Sequence, residues 1–373
     1  ERRVAMKQLS GVLAVLFGAA SWGAQGMEPQ GDIVPRHYVC YRTAGELTID
    51  GKLDEASWQR AQWTDLFIDI EGDLKPRPRF GTRAKMLWDD AYFYVGADME
   101  EPHLWATVAQ RDVPVYVNHD FEVFIDPDGD THEYYELEMN ALNTVWDLMS
   151  LRPHRDGGPM VNAWDIAGLQ TGVDLRGSLN DNTDRDDGWS VELAFPWRVL
   201  REAAHRPAPP EGGDQWRINF SRVEQHTENE GETYRRKEGV REDNWVWSPQ
   251  GLIAMHYPEM WGYVQYSEGV VGQGTDEFVS TPDLEAREAL CGIYYRQKGY
   301  RGDHGRYTDD LEELGVGDEY LRYYRWPPQL QVTESMFEAI LEEREDLDGD
   351  GLLGRWHIRQ DSRMWTTSRP SGR

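Results

Sequence analysis

The sequence is poor in cysteine, in positive charge and in long apolar runs, and each shortage excludes something. Only Cys40 and Cys291 are present, too few for a disulfide framework or a four-ligand zinc site, and no CxxCH haem-attachment signature occurs. Each reads as a packed core thiol, with a Cys40–Cys291 bridge left open. Lys and Arg number 39 against 67 Asp and Glu, a net charge of −28 at pH 7 with pI near 4.7. Phosphate backbones need clustered cations, so nucleic acid and anionic membranes are excluded as partners. No stretch reaches the roughly 20 apolar residues of a membrane span, so no span is expected in the mature chain. The longest run, Gly11 to Ala20, holds about ten, follows Met6 and Lys7, and leads into the small residues Ser21, Gly23 and Ala24. That order reads as a signal peptide over 1–26 and predicts a secreted, periplasmic or extracellular protein.

What is present in quantity is aromatic: 16 Trp, 18 Tyr and 10 Phe, a load that excludes a disordered chain. From about residue 45 to 266, short runs alternate apolar and polar residues between Gly, Asn and Asp clusters. They include Ala84–Trp88, Tyr92–Ala97, Phe121–Asp126, Tyr134–Asn140, Trp189–Phe195 and Trp216–Phe220. Many short strands and few helices predict a mainly β protein, an antiparallel β-sandwich. One small helix is legible at Glu55–Trp58, capped by Asp54 and presenting Trp58 to the core. After residue 270 the pattern turns α+β. A helix is expected from Thr281 to Gly299, a shorter one from Thr308 to Gly315 and a third after Val332-Thr333-Glu334-Ser335, ending near Glu345. A hairpin closing on Trp356–Arg359 follows. The expected organisation is a sandwich over 43–268 and a C-terminal extension over 275–373 packed on it.

Four ordered segments carry a resemblance. Ile49-Asp50-Gly51-Lys52-Leu53-Asp54-Glu55-Ala56-Ser57-Trp58, Met86–Val95, Glu122-Val123-Phe124-Ile125-Asp126, and Gly188–Glu192 followed by Phe195-Pro196-Trp197 together resemble family 9 carbohydrate-binding modules. The resemblance covers about residues 43–266. It implies a sandwich that binds oligo- or polysaccharide, attached to or working beside glycoside hydrolases in carbohydrate catabolism. It also implies that Glu122 contacts the sugar and that the aromatic ahead of it, Tyr116, stacks on the ring. Tyr stands where the family has Trp, and Glu138 where it has an Arg. The second stacking Trp falls near Met255 or His256, so Trp245 or Tyr257 is expected to replace it.

The residues agree on where such a site would form. Sugars offer apolar C–H faces and a rim of hydroxyls, so their sites combine aromatic planes with fixed polar groups. Period-two alternation sets Glu122 with Phe124 and Asp126 on one strand face, and Tyr134, Glu136, Glu138 and Asn140 on the matching face of the next strand. The candidate carbohydrate-binding set is therefore Tyr116, Glu122, Glu138, Asn140, Trp245 and Tyr257. Core packing is the competing reading for each aromatic, and for Trp88, Trp197 and Trp247 it is preferred.

Two acidic loops suit a hard cation. Asp126, Asp128 and Asp130 alternate around Gly129 as oxygen ligands for structural calcium would, although hairpin turns favour the same residues without metal. Asp346-Leu347-Asp348-Gly349-Asp350-Gly351 begins like an EF-hand loop but has His357 at position 12, so it reads as a tight turn. There is no G-x-S-x-G, HExxH or glycine-rich phosphate loop, and no catalytic residue is assigned. No cofactor is required by this reading. Two alternatives compete with saccharide binding. One is a b-type haem-binding redox domain using Met99, Met139, Met255, His119 or His256. The other is an envelope scaffold whose sugar site has decayed.

Overall fold

The computed structural model describes residues 28–370 apart from Asp32 and Asp318. The signal segment expected over 1–26 lies outside the described residues. Strand alternation sets the architecture. Phe121, Val123 and Ile125 of Asp120–Asp126, with Tyr135, Leu137 and Met139 of Tyr134–Asn140, point to one side and are buried. They meet Val95, Ala97 and Met99 of Tyr92–Glu100 and Trp189, Val191, Leu193 and Phe195 of Gly188–Pro196 in one hydrophobic core. Two sheet layers enclosing a core of this composition form the expected β-sandwich.

The layers are joined through hydrogen bonds. His37–Arg42 pairs in parallel with Gly262–Val270 on one side and with Thr82–Trp88 on the other, which links them into one thirteen-stranded sheet. The sandwich is therefore mixed at this one strand, where purely antiparallel pairing was expected. It also begins ahead of residue 43.

The resemblance motifs prove to be structural anchors. The buried Glu192 carboxylate accepts the N–H groups of Asp50 (2.9 Å) and Gly51 (2.8 Å) and the Trp58 indole N–H (2.6 Å). Burial pushes its pKa up to about 7 despite those donors. Gly51 turns there with φ +91°, and a Cβ would lie 2.4 Å from the Asp174 nitrogen, so only glycine fits. The short helix Ala56–Arg60 follows. Glu55, not Asp54, occupies its N-cap position, and no side chain caps it. Glu192 supplies the anchoring that a cap would have given.

The C-terminal extension departs further from expectation. Its helix runs Asp283–His304, but the remainder is a four-stranded antiparallel sheet of Gln329–Val332, Phe337–Glu342, Leu352–Arg359 and Met364–Pro370. The helix expected after Val332–Ser335 and ending near Glu345 is thus corrected to the strand Phe337–Glu342. Phe337, Ala339 and Leu341 alternate and pack on Leu290, Ile293 and Tyr294 of the helix. The segment from Thr308 to Gly315 is turn, and Met364–Pro370 adds a strand beyond the expected last one. Cys40 lies in the sandwich core and Cys291 beside the extension core, both as free thiols.

Polar clamps dock the extension on the sandwich. Asp156 accepts hydrogen bonds from the Tyr294 hydroxyl (2.8 Å), Lys298 (2.7 Å) and Ser362 (3.0 Å). Arg155 reaches the Tyr294 hydroxyl (3.0 Å) and pairs with Glu259 at 2.8 Å.

Candidate functional site

The polar face of the outer sheet layer gathers four carboxyls. Glu122 stands opposite Glu138, Asp120 opposite Asn140, and Phe124 opposite Glu136 across the same pair of strands. All four acids are buried, and Glu122 is 6% exposed. Burial drives the Glu122 pKa up to about 7. Burial first, and then neighbouring carboxyls, push Asp120, Glu136 and Glu138 well above the usual range.

The segment ahead of the first strand forms the lip of this floor. The backbone N–H groups of Val115 and Tyr116 both donate to Glu138 Oε2 at 3.0 Å, which fixes Tyr116 directly beside the acids. The residue is 37% exposed, and its ring lies 6.4 Å from that of Trp146, with the planes 33° apart. Trp146 sits opposite Glu138 on the next strand and donates its indole N–H to Asn162. Gln225 holds the lip from the other side, giving its amide N–H to the Tyr116 carbonyl (2.7 Å) while its own Oε1 is buried without a partner.

The structure thus brings Tyr116, Glu122 and Glu138 together and places the remaining expected residues elsewhere. Asn140 is consumed by a turn: its amide donates to the Val108 carbonyl and Asn118, and its oxygen accepts from Leu142 and Thr144. Trp245 is 2% exposed, edge-on to Phe80 and beneath the Arg222 guanidinium at 5.2 Å. It belongs to the sandwich core and offers no free plane. Tyr257 is 5% exposed, sealed between the Arg155 guanidinium at 4.0 Å and Tyr295 of the extension. The expected second stacking residue is therefore corrected: neither candidate reaches the lip. Asp120, Trp146 and Gln225 escaped the sequence reading. The alternation that marked Glu122 and Glu138 marks Asp120 and Trp146 equally, whereas nothing local marks Gln225.

Of the candidate haem ligands, His256 accepts or donates at Nδ1 with the Tyr134 hydroxyl (2.9 Å) and stacks on His154 at 3.8 Å. Met255 sulfur accepts from Gln250. His119 Nδ1 accepts the Gln225 N–H (3.2 Å) beside Glu224, and Met99 and Met139 lie in the core.

The Asp126–Asp130 loop brings one oxygen of each Asp within 4.8 Å of the others, a separation compatible with a cation. The same oxygens also serve the loop's own backbone. Asp126 accepts the N–H groups of Gly129 and Thr131, Asp128 that of Asp130, and Asp130 that of His132. Positive charge arrives from the extension, where Arg363 donates to Asp130 (3.0 Å) and Arg287 to the Gly129 and Asp128 carbonyls. Asp346, Asp348 and Asp350 repeat the backbone pattern in the open.

Two grooves lie elsewhere. One, of about 790 Å³, is lined by Tyr41, Gln62, Trp63, Asp65 and Phe278 among others. The second, of about 620 Å³, is lined in part by Arg111, Asn143 and Asp165.

Comparison with known proteins gives a consistent set of likenesses. The family model described as "Carbohydrate family 9 binding domain-like" matches residues 49–265. Exoglucanase XynX of Acetivibrio thermocellus is 28% identical over 172 residues, covering 46% of this chain and 13% of that protein. Endo-1,4-beta-xylanase A of Thermoanaerobacterium saccharolyticum is 28% identical over 174 residues, again 46% and 13%. Among solved structures, a family 9 module of Caldicellulosiruptor kristjanssonii in complex with cellotriose is 17% identical, with 65% of this chain and 98% of that chain covered and a TM-score of 0.40. A putative carbohydrate-binding protein of Bacteroides uniformis is 14% identical, with 63% and 100% covered and a TM-score of 0.47.

Proposed function

Because this chain belongs to the carbohydrate family 9 binding domain-like family, we propose that it binds a neutral oligo- or polysaccharide at the lip formed by Tyr116 over Glu122 and Glu138. The observation that carries the reading is the meeting of an exposed aromatic plane with buried carboxyls. The ring supplies an apolar platform for sugar C–H groups, and carboxyl oxygens accept from hydroxyls. With Trp245 and Tyr257 sealed away, the platform is one-sided, so contact is open-faced and not a two-ring sandwich. The relatives named for glucan and xylan cleavage make β-1,4-linked plant polysaccharide the first class to test.

Binding without hydrolysis is part of the proposal. Glycosidases need two carboxyls flanking the scissile bond, whereas Glu122 and Glu138 stand side by side on one strand pair. Export to the periplasm or outside the cell and work alongside glycoside hydrolases belong to the same reading, the former on the signal-like segment of the sequence. Calorimetric titration with cello- and xylo-oligosaccharides tests it. Saturable binding that weakens about tenfold in Tyr116→Ala, with no release of reducing ends, is the expected result. Absence of binding to either series at millimolar ligand, or binding indifferent to Tyr116→Ala, would overturn it.

A further inference from the structure

We infer that Asp120, Glu122 and Glu138 together hold a hard divalent cation of the calcium class, a site that stands whether or not the lip binds saccharide. One carboxylate oxygen from each lies within 4.8 Å of the other two, the span of oxygens arranged around an ion with bonds of about 2.3–2.6 Å. Asp120 is fully buried: Oδ1 accepts the Val223 N–H at 3.0 Å, and Oδ2 is buried with no partner. The adjacent Glu136 Oε2 is likewise buried and unpartnered.

What sets this cluster apart is the lack of a counter-charge. Among the described residues, the other clusters of three acidic or histidine side chains that include a buried carboxyl have a cation from the chain itself. Arg222 serves Glu101 and Glu224, Arg111 serves Asp147, and Arg363 with Arg287 serves the Asp126–Asp130 loop. Among the described residues no Lys, Arg or His pairs with Asp120, Glu122 or Glu138. Arg222, the guanidinium that Asp120 senses, commits both Nη groups elsewhere, to Thr82, the Glu100 carbonyl, Glu101 and Glu224, while its Nε is buried without a partner. Like charges directly across a strand pair destabilise it, and buried charges persist only when paired or coordinating metal. An all-oxygen donor set with no imidazole or thiolate selects a hard ion.

The test uses the full chain, stripped with chelator and then titrated with Ca²⁺ and, separately, with Tb³⁺ excited through Tyr116 and Trp146, whose rings adjoin Glu138. Saturable Tb³⁺ emission, displaced by Ca²⁺, and a Ca²⁺-dependent rise in melting temperature are expected. Glu138→Gln and Asp120→Asn should each weaken the metal affinity about tenfold or more. They should also raise the melting temperature of the metal-free protein, because each removes a repelling carboxyl. That second readout separates lost ligation from lost folding. No metal-dependent shift at millimolar Ca²⁺ would overturn the inference. So would a signal lost in Asp128→Asn but kept in Glu138→Gln, which would assign the ion to the hairpin loop. Oligosaccharide titration is read independently, so failure of one assignment is not failure of the other.

Discussion

At the scale of single residues, the aromatic side chains divide by exposure and not by type. Tyr116 stands at the lip, so Tyr116→Ala should leave the melting temperature within about 2 °C of the parent while weakening sugar affinity about tenfold. Trp245 is core, so Trp245→Ala should cost about 3–5 kcal/mol in denaturant unfolding, and the folded fraction should keep its affinity. Sequence alternation could place a Trp on a strand face but could not say what covers that face. Hence Glu122, Glu138 and Tyr116 were legible, while Trp245 and Tyr257 were not: the extension and Arg222 that seal them come from distant parts of the chain. The carboxyl floor adds a pH dependence. Glu122 binds its proton more tightly in the folded chain, its pKa moving from 4.5 to about 7. The folded state therefore holds more protons across that window, and metal-free stability should fall as pH rises from about 5 to 7. Glu122→Gln should flatten that slope in melts taken at several pH values.

Among the elements, the turns carry more of the family pattern than the strands do. The Asp50-Gly51 turn, Trp58 and Glu192 are far apart in sequence yet form one hydrogen-bonded unit, and this explains why such motifs can be read from sequence at all. Glu192→Ala would take the acceptor from the buried Gly51 and Trp58 N–H groups and should cost about 3 kcal/mol or more in chemical denaturation. The hairpins of the sandwich were legible because period-two alternation and Asp/Gly turns coincide, as at Trp88-Asp89-Asp90-Ala91-Tyr92, where Asp89 accepts the N–H groups of Ala91 and Tyr92. The strand Phe337–Glu342 was not, because Phe337, Ala339, Ile340 and Leu341 satisfy a helical stripe as well as a strand face. Only pairing with Leu352–Arg359 decides between them. His37–Arg42 was missed for the same kind of reason, since its parallel partners lie distant in sequence.

On the scale of the whole molecule, the extension is a second small core clamped to the sandwich through charged and hydroxyl groups. Asp156 is the centre of that clamp. Asp156→Ala removes the acceptor for Tyr294, Lys298 and Ser362 and should loosen the extension without unfolding the sandwich. The expected signs are faster proteolytic cleavage between residues 270 and 282 and a melting curve split into two transitions. The same docking buries Tyr257, and Met255 packs against Phe124 and Trp261, whereas Tyr116 is exposed.

The most direct test of saccharide recognition at that end is a crystal structure of the chain soaked in a cello- or xylo-oligosaccharide. A sugar ring lying flat on Tyr116, with hydroxyls within hydrogen-bond reach of Glu122 or Glu138, is the expected result. A saccharide ordered in the groove lined by Tyr41 and Trp63, with Tyr116 bare, would contradict it.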